Sequence, residues 1–231
     1  MGEELLQDKT PTWPVWQVIL ALVLCEFMSS YLAGLAAVLG ADTSLQVVIT
    51  SIAQYGLFVL AAWLIVSGRG KQNVWQRLGF KRLPVGEILA KGIGLGFVTY
   101  LFMMAVSLIN NLIFQGEIYM QEISQLIMNE SRPLAIIGLC FCVIILAPIG
   151  EEIFFRGLLF QALSRKLGIW LAIIVSGLIF AALHLSLYAL LPLVATGIAL
   201  AYIFYRSGNL WVSITAHAAI NTISTVFLII S

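Results

Sequence analysis

The sequence has little charge and few cysteines. Only 10% of its 231 residues are charged, against roughly 25% in soluble domains, which excludes an ordinary soluble globular domain. The formal net charge is +1, so no strong positive field exists to attract nucleic acid, and nucleic-acid binding is excluded. The three cysteines (Cys25, Cys140 and Cys142) lie in apolar runs, which favours a packing role over a disulfide or a metal site.

Apolar residues are abundant instead, at 61% of the chain. A bilayer-spanning helix takes about 20 residues, so this content allows roughly seven spans. The sequence therefore predicts an all-α membrane protein, a polytopic bundle of about seven transmembrane helices, or eight if the longest apolar run is two segments. The predicted spans are residues 15–39, 45–66, 88–114, 134 to about 164, 169–185, 187–205 and 211–230.

The positions of Lys and Arg predict the orientation, because cytoplasmic loops are enriched in both. A cytoplasmic N-terminus places ten of these residues inside and only Arg132 outside. The ten are Lys9, Arg69, Lys71, Arg77, Lys81, Arg82, Lys91, Arg165, Lys166 and Arg206. Apolar residues also recur through 74–83 in the basic loop, which predicts a short helix at the lipid headgroups.

Four charged side chains lie inside apolar runs, where an ionisable group costs about 2.5–3.5 kcal/mol on insertion scales. They are Glu26, Glu151, Glu152 and Arg156, and both histidines, His184 and His217, lie in such runs as well. Glu26 stands alone near two serines, which favours interhelical packing. The others are candidates for a functional site.

The spacing of these candidates predicts their neighbours. Glu152 and Arg156 are four residues apart and form an ion pair on one helix face, which leaves Glu151 without that partner. Glu151 and His184 lie at similar distances from a turn near residues 166–168, so they reach the same depth. His217 shares a helix face with Asn221, several ångströms away in depth, so helix tilt must close the difference. A single His or Asn in a membrane helix often only forms a hydrogen bond to a neighbouring helix. Glu151, the two histidines and Asn221 taken together suit acid–base chemistry.

These residues resemble the CPBP family of intramembrane endopeptidases, which includes the type II CAAX prenyl proteases and the Abi proteins. The family pattern is EExxxR, FxxxH and HxxxN on successive membrane helices. It is matched by Glu151-Glu152 with Arg156, by Phe180 with His184, and by His217 with Asn221. The resemblance implies a membrane-embedded polar cavity open to the cytoplasm. It divides the chain into N-terminal helices with the basic loop (1–131) and a catalytic core (132–231).

The resemblance also implies roles for these side chains. Glu151 and His184 would activate water, and His217 and Asn221 would stabilise the oxyanion. Glu152, Arg156 and Phe180 would support them. The substrate would be a prenylated protein or another membrane-associated peptide, of CAAX-like, bacteriocin-like or signalling type, cut at a prokaryotic plasma membrane.

The sequence leaves several alternatives open. Glu151, His184 and His217 are a conceivable three-ligand zinc site, but HExxH is absent, and a metal-free reaction without cofactor is favoured. A non-catalytic immunity or scaffold protein would bind peptides at the same polar cluster without cutting them. A proton-coupled transporter is less favoured, because it would need polar groups along a whole path.

Overall fold

The computed structural model describes residues 13–69, 73–113 and 122–230. Within these ranges every regular element is a helix. The helices are α1 (Val15–Val38), α2 (Thr43–Ser67), α3 (Val74–Arg77), α4 (Val85–Ile113), α5 (Glu122–Asn129), α6 (Pro133–Leu167), α7 (Ile169–Ala182), α8 (Leu190–Ser207) and α9 (Leu210–Ile230).

Among the described residues, six helices are long and apolar enough to cross a membrane: α1, α2, α4, α6, α8 and α9. The prediction of an all-α polytopic membrane protein is confirmed. The fifth predicted span, residues 169–185, extends three residues beyond the end of the helix in the structure, at Ala182. Its helix, α7, has 14 residues, or about 21 Å, against the roughly 30 Å of a bilayer core.

Residues 183–189, which follow α7, form turns and irregular backbone, with Leu185 at a φ of 49°. This segment contains three leucines, so hydropathy alone does not distinguish it from a helix. Irregular backbone at membrane depth is tolerated where it lines a cavity, and the segment does contribute to the cavity described below.

α6 is the central helix and contains two π-helical segments, Cys142–Leu146 and Glu152–Phe160. Pro148 lies between them and has no N–H to donate to the helix ladder, so the hydrogen bonding changes around it. Every residue of the second segment is buried. Its Phe154 ring stacks on Phe58 of α2 with centroids 4.6 Å apart, so α6 packs at the middle of the core.

The basic end of the bundle is formed by residues 73–83, 165–168 and 206–209. Helix α3 covers only four residues of the predicted 74–83 stretch. Leu78 is instead buried, and the Leu210 N–H donates to the Gly79 carbonyl at 2.9 Å. Gly79 has a φ of 104°, and a Cβ there would lie 2.7 Å from the Phe204 ring. The loop therefore packs against α8 and α9.

The α5 end of the bundle is formed by residues 39–44 and 122–132. Arg132 binds both carboxylate oxygens of Asp42, at 2.8 and 2.9 Å, and Glu130 at 2.7 Å. Ser44 also donates to Glu130, at 2.5 Å. The hydrogen bonds from Arg132 lower the pKa of Asp42 to about 2 and hold that of Glu130 well below its ordinary value. These bonds tie the α1–α2 connection to the start of α6.

Candidate active site

Glu152 is the most heavily bonded side chain of the polar cluster. Its Oε1 accepts from Arg156 Nη1 at 2.8 Å and from His217 Nδ1 at 3.0 Å, and its Oε2 accepts from Ser213 at 2.5 Å. The predicted ion pair is therefore present, with both side chains 0% exposed. Burying two charges is favourable only where further hydrogen bonds compensate their desolvation, and the two bonds from α9 do so for Glu152.

Arg156 and Phe180 hold the cluster against α7 and α8. Arg156 Nη2 donates to the Gly197 carbonyl at 3.1 Å, and its guanidinium carbon lies 4.8 Å from the Phe180 ring centroid. The Phe180 ring also lies 4.9 Å from the His184 ring and 6.0 Å from the His217 ring. Phe180 is therefore an apolar wall shared by the arginine and both histidines.

Glu151 faces away from Arg156, toward α2 and α9. Its Oε1 accepts from the Tyr55 hydroxyl at 3.3 Å, and its Oε2 lies 3.8 Å from His217 Nε2. The second distance is longer than a hydrogen bond. Glu151 is 9% exposed, so it is nearly buried but still lines a cavity.

His217 lies between the two carboxylates. A carboxylate only accepts, so Nδ1 is the donor to Glu152, and Nε2 is the ring atom directed at Glu151. The sequence left a depth difference of several ångströms between His217 and Glu151. The packing of α9 against α6 closes that difference.

His184 lies just beyond the end of α7. Its Nδ1 is 2.9 Å from the Phe180 carbonyl. A carbonyl only accepts, so Nδ1 donates and Nε2 is left as the acceptor of the neutral ring. His184 is exposed, in contrast to His217, and lies beyond Ala182, the last residue of α7.

Asn221 lies one turn beyond His217 on α9. Its Nδ2 donates to the Val143 carbonyl at 2.8 Å. Val143 belongs to the first π-helical segment of α6. The bond therefore links α9 to the irregular part of α6, and an amide group retains a second N–H donor.

One cavity brings the four predicted catalytic residues together. Its volume is about 410 Å³, and its lining includes Glu151, His184, His217 and Asn221. A second cavity of about 170 Å³ shares Glu151 and His184 with the first and reaches Glu26 of α1. Glu26 accepts a hydrogen bond from Gln54 at 2.8 Å. It therefore makes the interhelical bond expected of a packing residue and also faces the site.

Three further polar residues of the site were missed from the sequence. Ser213 is four residues before His217, so the spacing that linked His217 to Asn221 also points to it. Tyr55 and Gln54 carry no comparable signal, since each is an ordinary helix residue. Tyr55 is separated from Glu151 by 96 residues.

A three-ligand zinc site would require Glu151, His184 and His217 to converge. Among the described residues, no group of three or more His, Cys, Asp and Glu side chains is arranged to hold a metal ion. Both histidines use Nδ1 in hydrogen bonds, so Nε2 is the ring atom of each that remains for another ligand. No step of the proposed reaction is assigned to a metal.

The segment from the start of α6 into α9 is similar to a known protein family. Residues 133–223 match the family described as type II CAAX prenyl endopeptidase Rce1-like. The match confirms the resemblance found in the sequence. No curated protein and no solved structure matches the chain.

The Rce1-like segment contains every residue of the EExxxR, FxxxH and HxxxN motifs. At the level of the family, the match supports a CAAX-type intramembrane endopeptidase in a multi-pass membrane protein. Tyr55, Gln54 and Glu26 come from helices before the Rce1-like segment. The site is thus completed by side chains that the family match does not cover.

Proposed function

We propose that the protein is an intramembrane endopeptidase that hydrolyses a peptide bond near a lipid anchor or within a membrane-bound segment. One observation carries the proposal: the nearly buried Glu151 lines a single cavity with His184, His217 and Asn221. Its volume of about 410 Å³ lies within the usual range of ligand-binding pockets, roughly 300–1,000 Å³.

Glu151 and His184 activate the attacking water in this proposal. The water oxygen forms a bond to the scissile carbonyl carbon, and one water proton passes to the Glu151 carboxylate as general base. Because His184 Nδ1 donates to Phe180, its Nε2 is the ring atom that accepts from the same water. Tyr55 holds one Glu151 oxygen and leaves the other for the proton.

His217 and Asn221 stabilise the negative charge that develops on the carbonyl oxygen. His217 Nδ1 donates to Glu152, so Nε2 can donate to an oxyanion only in the imidazolium form, whose charge is adjacent to the Glu152 carboxylate. Asn221 has one N–H on Val143 and supplies the other. Donors in a water-poor site stabilise such a charge more than they would in water.

Collapse of the tetrahedral intermediate completes the reaction. The oxyanion re-forms the carbonyl, the carbon–nitrogen bond breaks, and the proton held by Glu151 moves to the leaving nitrogen. The products are a carboxylic acid and an amine. Glu152 and Arg156 take no proton in this sequence; they fix the face of α6 from which Glu151 projects.

Mass spectrometry of peptides incubated with the purified protein tests the proposal. Prenylated CAAX, bacteriocin-like and signalling peptides are the substrates to compare. We expect a cleaved product from the wild type and its loss in folded Glu151→Ala and His184→Ala variants. Cleavage by either variant at the wild-type rate would refute the assignment, and peptide binding without any product would favour the immunity or scaffold role.

Metal dependence is tested in the same assay. We expect cleavage to persist after treatment with a strong chelator. Complete loss that added zinc restores would replace the metal-free mechanism with a zinc-dependent one.

A further inference from the structure

A groove runs between α1 and α2 on the outer surface of the bundle. Its volume is about 590 Å³, within the roughly 300–1,000 Å³ of ligand-binding pockets. Ala21 and Ala61 lie in its lining, and their side chains are too short to fill the space between the larger residues beside them. Those neighbours are half-exposed leucines that form its walls: Leu20, Leu24, Leu60 and Leu64. The groove is therefore an apolar cleft that faces the lipid.

One end of the groove is polar. Arg69 Nη2 donates to Gln17 Oε1 at 2.6 Å, and both residues line the groove. Arg77 of the basic end donates to the Val66 carbonyl at 2.9 Å, and its guanidinium carbon lies 5.7 Å from the Trp13 ring centroid. The start of α1 and the end of α2 therefore meet the basic end, and the polar end of the groove lies there.

The chemistry of this polar end suits a phosphate. A guanidinium presents its N–H donors in a fork that matches phosphate oxygens, and the amide of Gln17 carries two further N–H donors. Trp16, at the same end of the lining, is 63% exposed, as is usual for tryptophan at the level of the lipid headgroups.

The charge around the polar end is of one sign. The basic end carries six Lys and Arg residues and no acidic residue among its described positions: Arg77, Lys81, Arg82, Arg165, Lys166 and Arg206. Enrichment in Lys and Arg favours the cytoplasmic face, where anionic lipids are found and where basic pockets between membrane helices bind their headgroups. The polar end is therefore complementary to an anionic headgroup.

The length of the groove matches one leaflet of the bilayer. On α2 the lining starts at Leu57 and continues to the end of the helix at Ser67, which is about 15 Å of helix. On α1 it extends from Trp16 to Cys25, about 14 Å. Half of the hydrocarbon core is also about 15 Å thick, so one acyl chain can lie along the groove with its headgroup at the polar end.

We propose that the α1–α2 groove is a binding site for an anionic glycerophospholipid of the leaflet at the basic end. Its phosphate contacts Arg69 and Gln17, and one of its acyl chains lies over Ala21 and Ala61. All of the lining comes before the Rce1-like segment. The inference does not depend on the proposed proteolytic function.

Native mass spectrometry of the purified protein tests the headgroup preference. The protein is released from nanodiscs that contain equal amounts of dioleoyl-phosphatidylglycerol and dioleoyl-phosphatidylcholine, and the retained lipids are counted. We expect the wild type to retain the anionic lipid about fivefold over the neutral one, the ratio that one cation gives at a membrane surface. Arg69→Gln should lose most of this preference. Arg82→Gln, which removes an exposed cation of the same end outside the groove, should keep it.

A second variant tests the apolar part of the site while the cation stays in place. Ala61→Leu fills the groove, and Ala37→Leu makes the same change at an exposed position of α1 outside it. We expect Ala61→Leu to retain severalfold less phosphatidylglycerol than the wild type and Ala37→Leu to match the wild type. Undiminished retention by Ala61→Leu would overturn the proposal.

Three other results would also overturn it. Equal retention of the two lipids by the wild type would show only non-selective contact with the bilayer. An equal loss of preference in Arg82→Gln and Arg69→Gln would indicate the general field of the basic end instead of a site. Displacement of the retained lipid by a farnesylated peptide would assign the groove to the lipid anchor of a substrate.

Discussion

The buried Glu152–Arg156 ion pair can be compared with an exposed pair of the same spacing in this chain. Both Glu152 and Arg156 have 0% exposed side chains, whereas Lys91 and Glu87 are 53% and 39% exposed. Arg156→Met removes the cation and leaves the Glu152 carboxylate buried without it. Breaking a buried pair in this way costs about 3–5 kcal/mol, whereas an exposed helical pair contributes about 0.3–0.5 kcal/mol.

Unfolding of the purified protein in mixed micelles measures this difference. We expect Arg156→Met to lower the free energy of unfolding by several times the effect of Lys91→Met, the matched control. A Glu152→Gln, Arg156→Met double variant removes both charges, so it should recover part of the loss. Residues in contact give non-additive effects, and the recovery measures their coupling.

Two results would contradict this reasoning. One is an Arg156→Met variant no less stable than Lys91→Met, which would mean that burial of the pair has no energetic consequence. The other is a double variant less stable than Arg156→Met, which would mean that the unpaired Glu152 charge is not the source of the loss.

Three further predictions concern the hydrogen bonds around the site and at the α5 end. Ser213→Ala removes a hydrogen-bond donor to the buried Glu152 carboxylate and should lower the free energy of unfolding by about 1.5–3 kcal/mol. A change smaller than the error of the unfolding titration in micelles would contradict this prediction. Glu26→Gln replaces a carboxyl group that lines the cavity shared by Glu151 and His184. We expect it to lower kcat roughly tenfold with little change in KM, and we expect Glu26→Asp to retain activity. Equal cleavage rates for wild type and Glu26→Gln would support a purely packing role for Glu26. Arg132 lowers the folded-state pKa of Asp42 from 3.8 to about 2, so this interaction stabilises the fold above pH 3.8 and the stabilisation is lost as the pH falls toward about 2. Unfolding measured against pH should show this loss of stability in the wild type and a smaller loss in Arg132→Gln. Identical pH profiles for the two proteins would contradict the prediction.

The features that could be predicted from the sequence depend on local spacing. The Glu152–Arg156 pair follows from a four-residue separation on one helix, and it survives the change to π-helical hydrogen bonding. The long spans follow from apolar runs flanked by charge. Matching the depths of Glu151 and His184 required only a count of residues to a shared turn.

The features that were missed depend on tertiary packing. Tyr55 reaches Glu151 from a helix 96 residues earlier, and no spacing rule connects them. The end of α7 at Ala182 was missed because a leucine-rich turn and a leucine-rich helix have the same hydropathy.

The central claim is that Glu151 is the base of a peptide hydrolysis. The most direct test incubates wild type, Glu151→Gln and the control Glu87→Gln with a cleavable peptide in water enriched in oxygen-18. The account predicts that wild type and Glu87→Gln release a product whose new carboxyl group carries the heavy isotope, and that a folded Glu151→Gln releases none. Labelled product from Glu151→Gln at the wild-type rate would contradict it.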